Sequence, residues 1–470
     1  MADLLVLSAG DVEKITASFL PLELQVLMAQ VFSSLSQFSE GHQAKSSNGA
    51  APPKSLSEPH PTTQTPHRTS IAMENHTALF MPARLSIQPL QGNPGDQTGS
   101  TSIKIVSVPR SRGQSGLPAT TVVLDEYTGA VKAIVNARKL TALRNAVGSL
   151  LSTILVATRY PRRIVAFGAG AQIEAHLHLH LKSFTNVQHV TVINRTFNSR
   201  ATRLLQHLAS TFPNTQFVLH TPADGQTRSW NIDGDSLDVQ SPSKEESQAS
   251  TTAVHDSTTG SPRRSKTEGS LRRADLVICA TSSTEPLFPS HWVGNNTHII
   301  LIGSYTPNMH EIDSSLVRRS LPLLSQPRDS KTEDYLEDDL RNEPILLVDS
   351  RWACSQEAGE LIEAQVAPDK MVEIGELLSS SPLSNIPGQL ADLNRLKTTR
   401  EASTPNHEDE ASDIRATLGD AEEGTNYWHG PVTIFKSVGV GLQDVMIAKA
   451  VVDKAETLGL GQRIVDYDSM

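Results

Sequence analysis

Few folds accommodate a short apolar run that stops on two closely spaced glycines and continues as a helix. That is the pattern of Arg163-Ile164-Val165-Ala166-Phe167, then Gly168-Ala169-Gly170, then Ala171-Gln172 onward to about Leu181. The spacing predicts a strand, a glycine turn and a helix. Gly168 permits the tight turn, and Gly170 lets a pyrophosphate group approach the backbone at the N-terminus of the helix. The third small residue of the dinucleotide-binding fingerprint is replaced here by Ile173, which relaxes close helix–strand packing. A βα turn that needs its glycines for geometry alone is the plainer alternative.

The chain continues in the same rhythm. Val187 to Ile193 reads as a strand, ends in Asn194-Arg195-Thr196, and leads into a helix to about Ser210. Further strands at Leu276–Ala280, His298–Ile302 and Ile345–Val348 complete a parallel sheet, so the expected class is α/β with a Rossmann dinucleotide-binding domain. About 24 residues past the glycine turn, a fold specific for NAD places a carboxylate on the ribose 2′-hydroxyl. Asn194 and Arg195 stand there instead. A guanidinium pairs with a 2′-phosphate that a carboxylate would repel, which favours NADP over NAD as the cofactor. A solvated arginine at a strand end is the bland reading, and Arg200 and Arg203 add charge without specificity.

Length and composition explain the rest of the chain. Its 470 residues are more than two ordinary domains need, and only 38% are hydrophobic. The surplus falls in polar stretches at 40–66, about 224–271, about 326–343 and about 398–425, which read as surface loops and insertions. Val12 to Phe38 carries apolar residues at helical spacing, divided into two helices by Pro21. Ile103 to Ala137 alternates apolar runs with turn signals, among them Arg110–Gly116 and Tyr127-Thr128-Gly129, which predicts an antiparallel sheet. Thr141 to Thr158 reads as a long helix that Thr141 is able to cap.

Two cysteines, Cys279 and Cys354, build neither a disulfide framework nor a cysteine-rich zinc site and fit a reducing compartment. The apolar run Leu4–Leu7 is interrupted at once by acidic residues and is no signal peptide. No stretch approaches the roughly 18 apolar residues of a membrane span, so a cytoplasmic location without membrane contact is expected. A net charge of −10 argues against a nucleic-acid partner. His176, His178 and His180 invite a metal reading, but side chains two apart on a helix point to different faces. They are expected on a solvated or partly packed helix surface, with no metal.

The blocks Thr128-Gly129-Ala130, Thr141-Ala142-Leu143-Arg144-Asn145-Ala146 and Val165 through Gln172 together resemble the central signature of the ornithine cyclodeaminase/mu-crystallin family. Phe80-Met81-Pro82-Ala83, Gly116-Leu117-Pro118, Thr281–Pro286, Glu357-Ala358-Gly359-Glu360-Leu361 and Phe435-Lys436-Ser437-Val438-Gly439 leading to Asp444 are similar to it in the same order. The resemblance implies a Rossmann domain over 144–397, joined to an α+β substrate and dimerisation domain over 1–143 and 426–470, with 398–425 a linker. It also implies a homodimer formed through the N-terminal sheets.

The resemblance assigns the carboxylate of a small amino or imino acid to Arg68, Lys104 and Arg144. Guanidinium groups bind a carboxylate as a fork, and the Lys104 ammonium adds a movable charge and a proton, so Lys104 is also the catalytic candidate. Without the resemblance each would read as a surface cation. The cofactor set is Gly168, Gly170, Ala171, Gln172, Asn194, Arg195, Thr196, Thr281, Ser282 and Ser437. Where cyclodeaminases of the family carry a catalytic Asp, this chain has Thr284, followed by Glu285. Thr-Glu-Pro resembles the ketimine reductase side of the family, which implies hydride transfer from NAD(P)H to the C=N of a cyclic imino acid. An ornithine cyclodeaminase and a non-catalytic dinucleotide- and ligand-binding protein are the rival readings.

Overall fold

The computed structural model describes residues 3–43, 63–66, 68–87, 98–109, 117–157, 160–223, 226–230, 236–238, 266–322, 344–378, 386–393 and 431–468. The expected insertions at 326–343 and 398–425, and the turn at 110–116, lie outside these residues.

Local signals set the N-terminal elements. Strand β1 (Leu4–Leu7) is followed by α1 (Ala9–Ala17), whose N-cap Ser8 exchanges hydrogen bonds with Asp11. Pro21 opens α2 (Pro21–Gln43), the helix position that needs no N–H, and divides the stretch into two helices as the sequence predicts; the two are bent by 103°.

The first sheet continues with β2 (Thr63–Gln64), β3 (Thr69–Ala72), β4 (His76–Ile87), β5 (Thr98–Pro109), β6 (Ala119–Leu124) and β7 (Val131–Asn136). β5 through β7 form the antiparallel sheet expected over Ile103 to Ala137, β4 extends it antiparallel on the β5 side, and β1 pairs parallel to β7. Its polar neighbour, the 40–66 stretch, is not all loop: Gln43 ends α2 and Thr63–Gln64 pairs with β4. Strand alternation turns Ser100, Ser102, Lys104 and Val106 of β5 inward together, against the C-terminal helix Gly441–Leu458. A lysine therefore enters the core by register.

Helix α3 (Leu140–Val156) leads into the second sheet. It starts one residue before Thr141, which lies inside the first turn and does not cap it; Lys139 holds that position without a side-chain bond. Then follow β8 (Arg163–Phe167), α4 (Ala171–Ser183), β9 (His189–Ile193), α5 (Ser199–Thr211), β10 (Gln216–Thr221), β11 (Gln226–Trp230), β12 (Ser236–Asp238), β13 (Leu276–Cys279), β14 (His298–Leu301), β15 (Ile345–Val348), β16 (Val372–Glu373) and β17 (Thr433–Lys436). The described strands run in the order β12-β11-β10-β9-β8-β13-β14-β17-β15-β16. From β10 to β16 all neighbours are parallel, and β8 stands where the chain's direction of winding reverses. Such a switch point opens a crevice at the C-terminal strand ends.

Two expectations are corrected here. The 426–470 segment does not keep wholly to the first unit, because Thr433–Lys436 fills the slot between β14 and β15. The 224–271 stretch is not merely a surface insertion: β11 extends the sheet antiparallel from β10, Trp230 is 1% exposed, and Leu271 is fully buried. Those apolar residues are isolated in sequence, so periodicity cannot reveal them.

Candidate functional site

The Gly168 turn sits at the switch point. Its φ of +105° is the left-handed region, and an added Cβ would press on the Ala280 carbonyl at 3.1 Å, so glycine is required there. Nothing lies within 4 Å of a Cβ built on Gly170, which N-caps α4 without a side-chain bond. Open space over Gly170 at the N-terminus of α4 lets a phosphate approach the first-turn N–H groups, so these residues fit a dinucleotide. Ala171 is exposed at the first position of α4, and Gln172 keeps a buried side-chain oxygen without a partner.

Asn194, Arg195 and Thr196 follow β9 as expected. The Asn194 side chain donates to the Thr196 carbonyl at 2.7 Å and shapes the turn, while Arg195 is exposed. Beyond β13, Ser282, Thr284 and Glu285 are exposed. Thr281 donates its N–H (2.7 Å) and hydroxyl (3.0 Å) to Glu311, which also receives the Gly303 N–H at 2.7 Å. One fully buried carboxylate thus ties together the loops after β13 and β14. Burial pushes its pKa up to about 7, with Lys436 opposing and Glu360 reinforcing the shift. Lys436, itself fully buried, pairs with Glu360 at 3.0 Å and donates to Ser304.

The two inner cations of the expected set meet. Lys104 Nζ and Arg144 Nε both donate to Oδ1 of Asp444, at 3.0 and 3.2 Å, and all three side chains are nearly sealed. Arg144 Nη1 further donates to Asn145 at 2.7 Å and to Gln443. Burial works to raise the Asp444 pKa, but the charges of Arg144 and Lys104 outweigh it and hold the carboxyl below its ordinary range. Burial lowers the Lys104 ammonium, Asp444 resists, and Arg144 adds to the lowering.

This knot touches the Rossmann edge. Gly439 (φ +88°) follows β17, and a Cβ there would overlap the Arg144 guanidinium, 2.5 Å from Nη1. Asp349, at the end of β15, accepts from Ser437 Oγ and Gly439 N, each at 2.7 Å, and so fixes that loop. Cations and glycine turn therefore share one edge of the sheet.

Arg68 stays apart. It is exposed just ahead of β3 and pairs with Glu357 at 3.2 Å. The histidines depart from expectation: His176 and His180 are fully buried, one helical turn apart, bonded to Ser149 and Thr153 of α3. Burial holds them neutral, with pKa values of about 4 and about 3. A helix sandwiched between a sheet and another helix buries faces that look polar in sequence. Both cysteines are buried free thiols.

One protein family matches most of the chain in sequence: the pattern of the ornithine cyclodeaminase/mu-crystallin family fits residues 63–215 and 243–458. The chain belongs to this family. Family members similar to it include a Δ1-pyrroline-2-carboxylate reductase of Bacillus cereus, 22% identical over 86% of this chain and 89% of that one. A ketimine reductase mu-crystallin of Mus musculus is 22% identical over 67% and 75%. The chain spans little more than half the length of two further relatives, 59% of an uncharacterised protein of Schizosaccharomyces pombe and 55% of an uncharacterised cyclodeaminase of Dictyostelium discoideum. Among solved structures, the Thermococcus litoralis Δ1-pyrroline-2-carboxylate reductase in complex with NADH and L-proline superposes with a TM-score of 0.59 at 18% identity, over 98% of this chain and 100% of that one.

In sequence Asp444 is only the tail of a block, and Gln443 carries no signal of its own. An acidic residue in the first turn of a helix reads as a partner for the helix dipole, and only the fold brings Lys104 and Arg144 to it.

Proposed function

We propose that the chain is an NAD(P)H-dependent reductase of a cyclic ketimine carboxylate, acting on the C=N bond of a small α-imino acid. The observation that supports this reading is charge stoichiometry: two buried cations share one carboxylate oxygen. One positive charge is left to meet a substrate carboxylate, and Lys104 has three donors with Asp444 its one hydrogen-bond partner among the described residues.

The dihydronicotinamide, when bound, supplies a hydride to the imine carbon. The chain's own part is positional. Arg144 and Lys104 hold the carboxylate, burial keeps water from competing, and the lowered Lys104 ammonium delivers a proton to the nitrogen as the C=N electron pair moves onto it. Arg68, tied to Glu357 at the rim, engages only if the substrate draws it inward. Arg195 favours NADP over NAD, and the active unit is a cytoplasmic homodimer. No single helix among the described residues is long and apolar enough to cross a membrane.

Thr284 and Glu285 are exposed, and Asp444 is held ionised below its usual range, which makes it a weak base. A cyclodeaminase needs a stronger one. The test supplies Δ1-pyrroline-2-carboxylate with NADPH, and in parallel ornithine with catalytic NAD. Net cofactor oxidation is expected in the first, and in Lys104→Met it should fall about 100-fold with dinucleotide affinity kept. Ammonia release and proline formation without net cofactor change would replace the reductase reading by the cyclodeaminase.

A further inference from the structure

The loop after β13 touches the glycine turn. A Cβ built on Gly168 would meet the Ala280 carbonyl at 3.1 Å and the Thr281 methyl at 3.6 Å. Behind that loop runs the segment 303–311, and backbone bonds stitch the two together. His310 donates its N–H to the Ser283 carbonyl and Leu287 donates to the Glu311 carbonyl, each at 2.9 Å, while Thr284 bridges to His310. The Glu311 side chain closes the seam from within. Its Oε1 accepts the Thr281 N–H and hydroxyl, and its Oε2 accepts the Gly303 N–H.

We propose that Glu311 is a positioning residue for the dinucleotide, which as a carboxylate holds the Thr281 loop against the glycine turn and on taking up a proton lets it go. This rests on the dinucleotide reading above and deepens it, because it writes a proton into the binding equilibrium.

The hydrogen bonds call for the carboxylate. Three donors converge on two oxygens, and an ionised carboxyl satisfies them all. A neutral acid accepts more weakly and brings a hydrogen of its own. The one hydroxyl oxygen beside it, Thr281 Oγ1, already accepts the Ser283 N–H at 3.3 Å. Those two bonds also set the Thr281 rotamer: its oxygen faces Glu311 and its methyl faces Gly168. The surroundings pull the other way. Burial raises the Glu311 pKa, Lys436 of β17 opposes, Glu360 of the short helix Gly359–Glu363 reinforces, and the balance stands at about 7. The Cys279 thiol of β13, pushed up by burial first and by the Glu311 charge second, adds no charge of its own. Both forms of Glu311 are therefore populated near neutral pH, and a ligand that needs the carboxylate draws the proton off.

The experiment is titration calorimetry of the full-length protein with NAD+ and with NADP+ between about pH 5.5 and about pH 8.5, in two buffers of different ionisation enthalpy, for wild type and Glu311→Gln. Wild type is expected to release a proton on binding near neutral pH and to lose affinity as pH falls. The loss should be at least about fivefold across the range, and a single group that titrates at about 7 limits it to about thirtyfold. Glu311→Gln should bind with the affinity of the wild-type acid limb at every pH and without that proton release. The 2′-phosphate of NADP+ titrates in the same range for both proteins, so the difference between them isolates Glu311. Where Glu311→Gln does not fold, Thr281→Val keeps a methyl toward the turn and removes one donor from the carboxylate, so the midpoint of the affinity profile should move to higher pH. A wild-type profile retained in the folded variant would leave Glu311 an internal brace and overturn the proposal. So would affinity that rises as pH falls, the sign of a carboxylate that merely repels the pyrophosphate. Wild type that binds neither dinucleotide at any pH would remove the dinucleotide reading and this inference with it.

Discussion

Two buried ionic clusters sit a short way apart along the sheet edge, and they are built in opposite proportions. Around Asp444 two cations, Lys104 and Arg144, face one acid. Around Lys436 one cation faces two acids, Glu360 at 3.0 Å and Glu311 through their mutual field. The first cluster is short of negative charge, which in the reading proposed above a substrate carboxylate supplies. The second has a surplus, and burial, with the Glu360 charge adding to it against Lys436, raises Glu311 to about 7, so that a proton can take up the excess. In that reading, composition of charge separates a ligand site from an internal brace, although both are nearly sealed from solvent.

The largest expected effect comes from unbalancing the brace. Lys436→Met should destabilise the protein by about 3–5 kcal/mol, because two acids then remain buried with no cation. Urea unfolding measures it, and Lys436→Met combined with Glu360→Gln should regain a clear part. A loss below about 1 kcal/mol would mean the cluster carries no such tension.

Titration of Glu311 gives the next effect. Its folded pKa of about 7 lies above the unfolded value of 4.5, so the folded state binds more protons in that window. Stability from this group is full below pH 4.5 and is lost as pH rises through about 7, by of order 2–3 kcal/mol. Glu311→Gln should flatten that slope in unfolding measured at a series of pH values; an unchanged slope would assign it to other groups.

The smallest effect should appear at the Asp444 cluster. Asp444→Asn should cost about 1–2 kcal/mol, since Lys104 relieves the imbalance by releasing its proton. Pyrrole-2-carboxylate, a stable planar probe, should raise the Tm of this variant more than that of wild type, and should leave the Lys436→Met deficit in place. Equal Tm shifts in Asp444→Asn and wild type would erase the distinction between the clusters.

Much of this architecture can be read from local residues. Pro21 starts a helix wherever its sequence neighbours permit one, the Gly168-Ala169-Gly170 turn follows from backbone sterics, and alternation in β5 turns Lys104 inward once the strand is assigned. The cation pair and the turn after β9 were legible through motif order. What escaped depends on partners distant in the chain. Thr433–Lys436 is too short to announce its slot between two other strands, and Trp230 is an isolated aromatic in a polar stretch. His176 and His180 seem to belong on a wet helix face until α3 covers them with Ser149 and Thr153. Asp444 meets Lys104 across 340 residues and Arg144 across 300. Local sequence thus sets which way a side chain leaves the backbone, because sterics act within a few residues. Tertiary packing chooses which charges share a dry volume, because the electrostatic cost of burial depends on every element that closes around them.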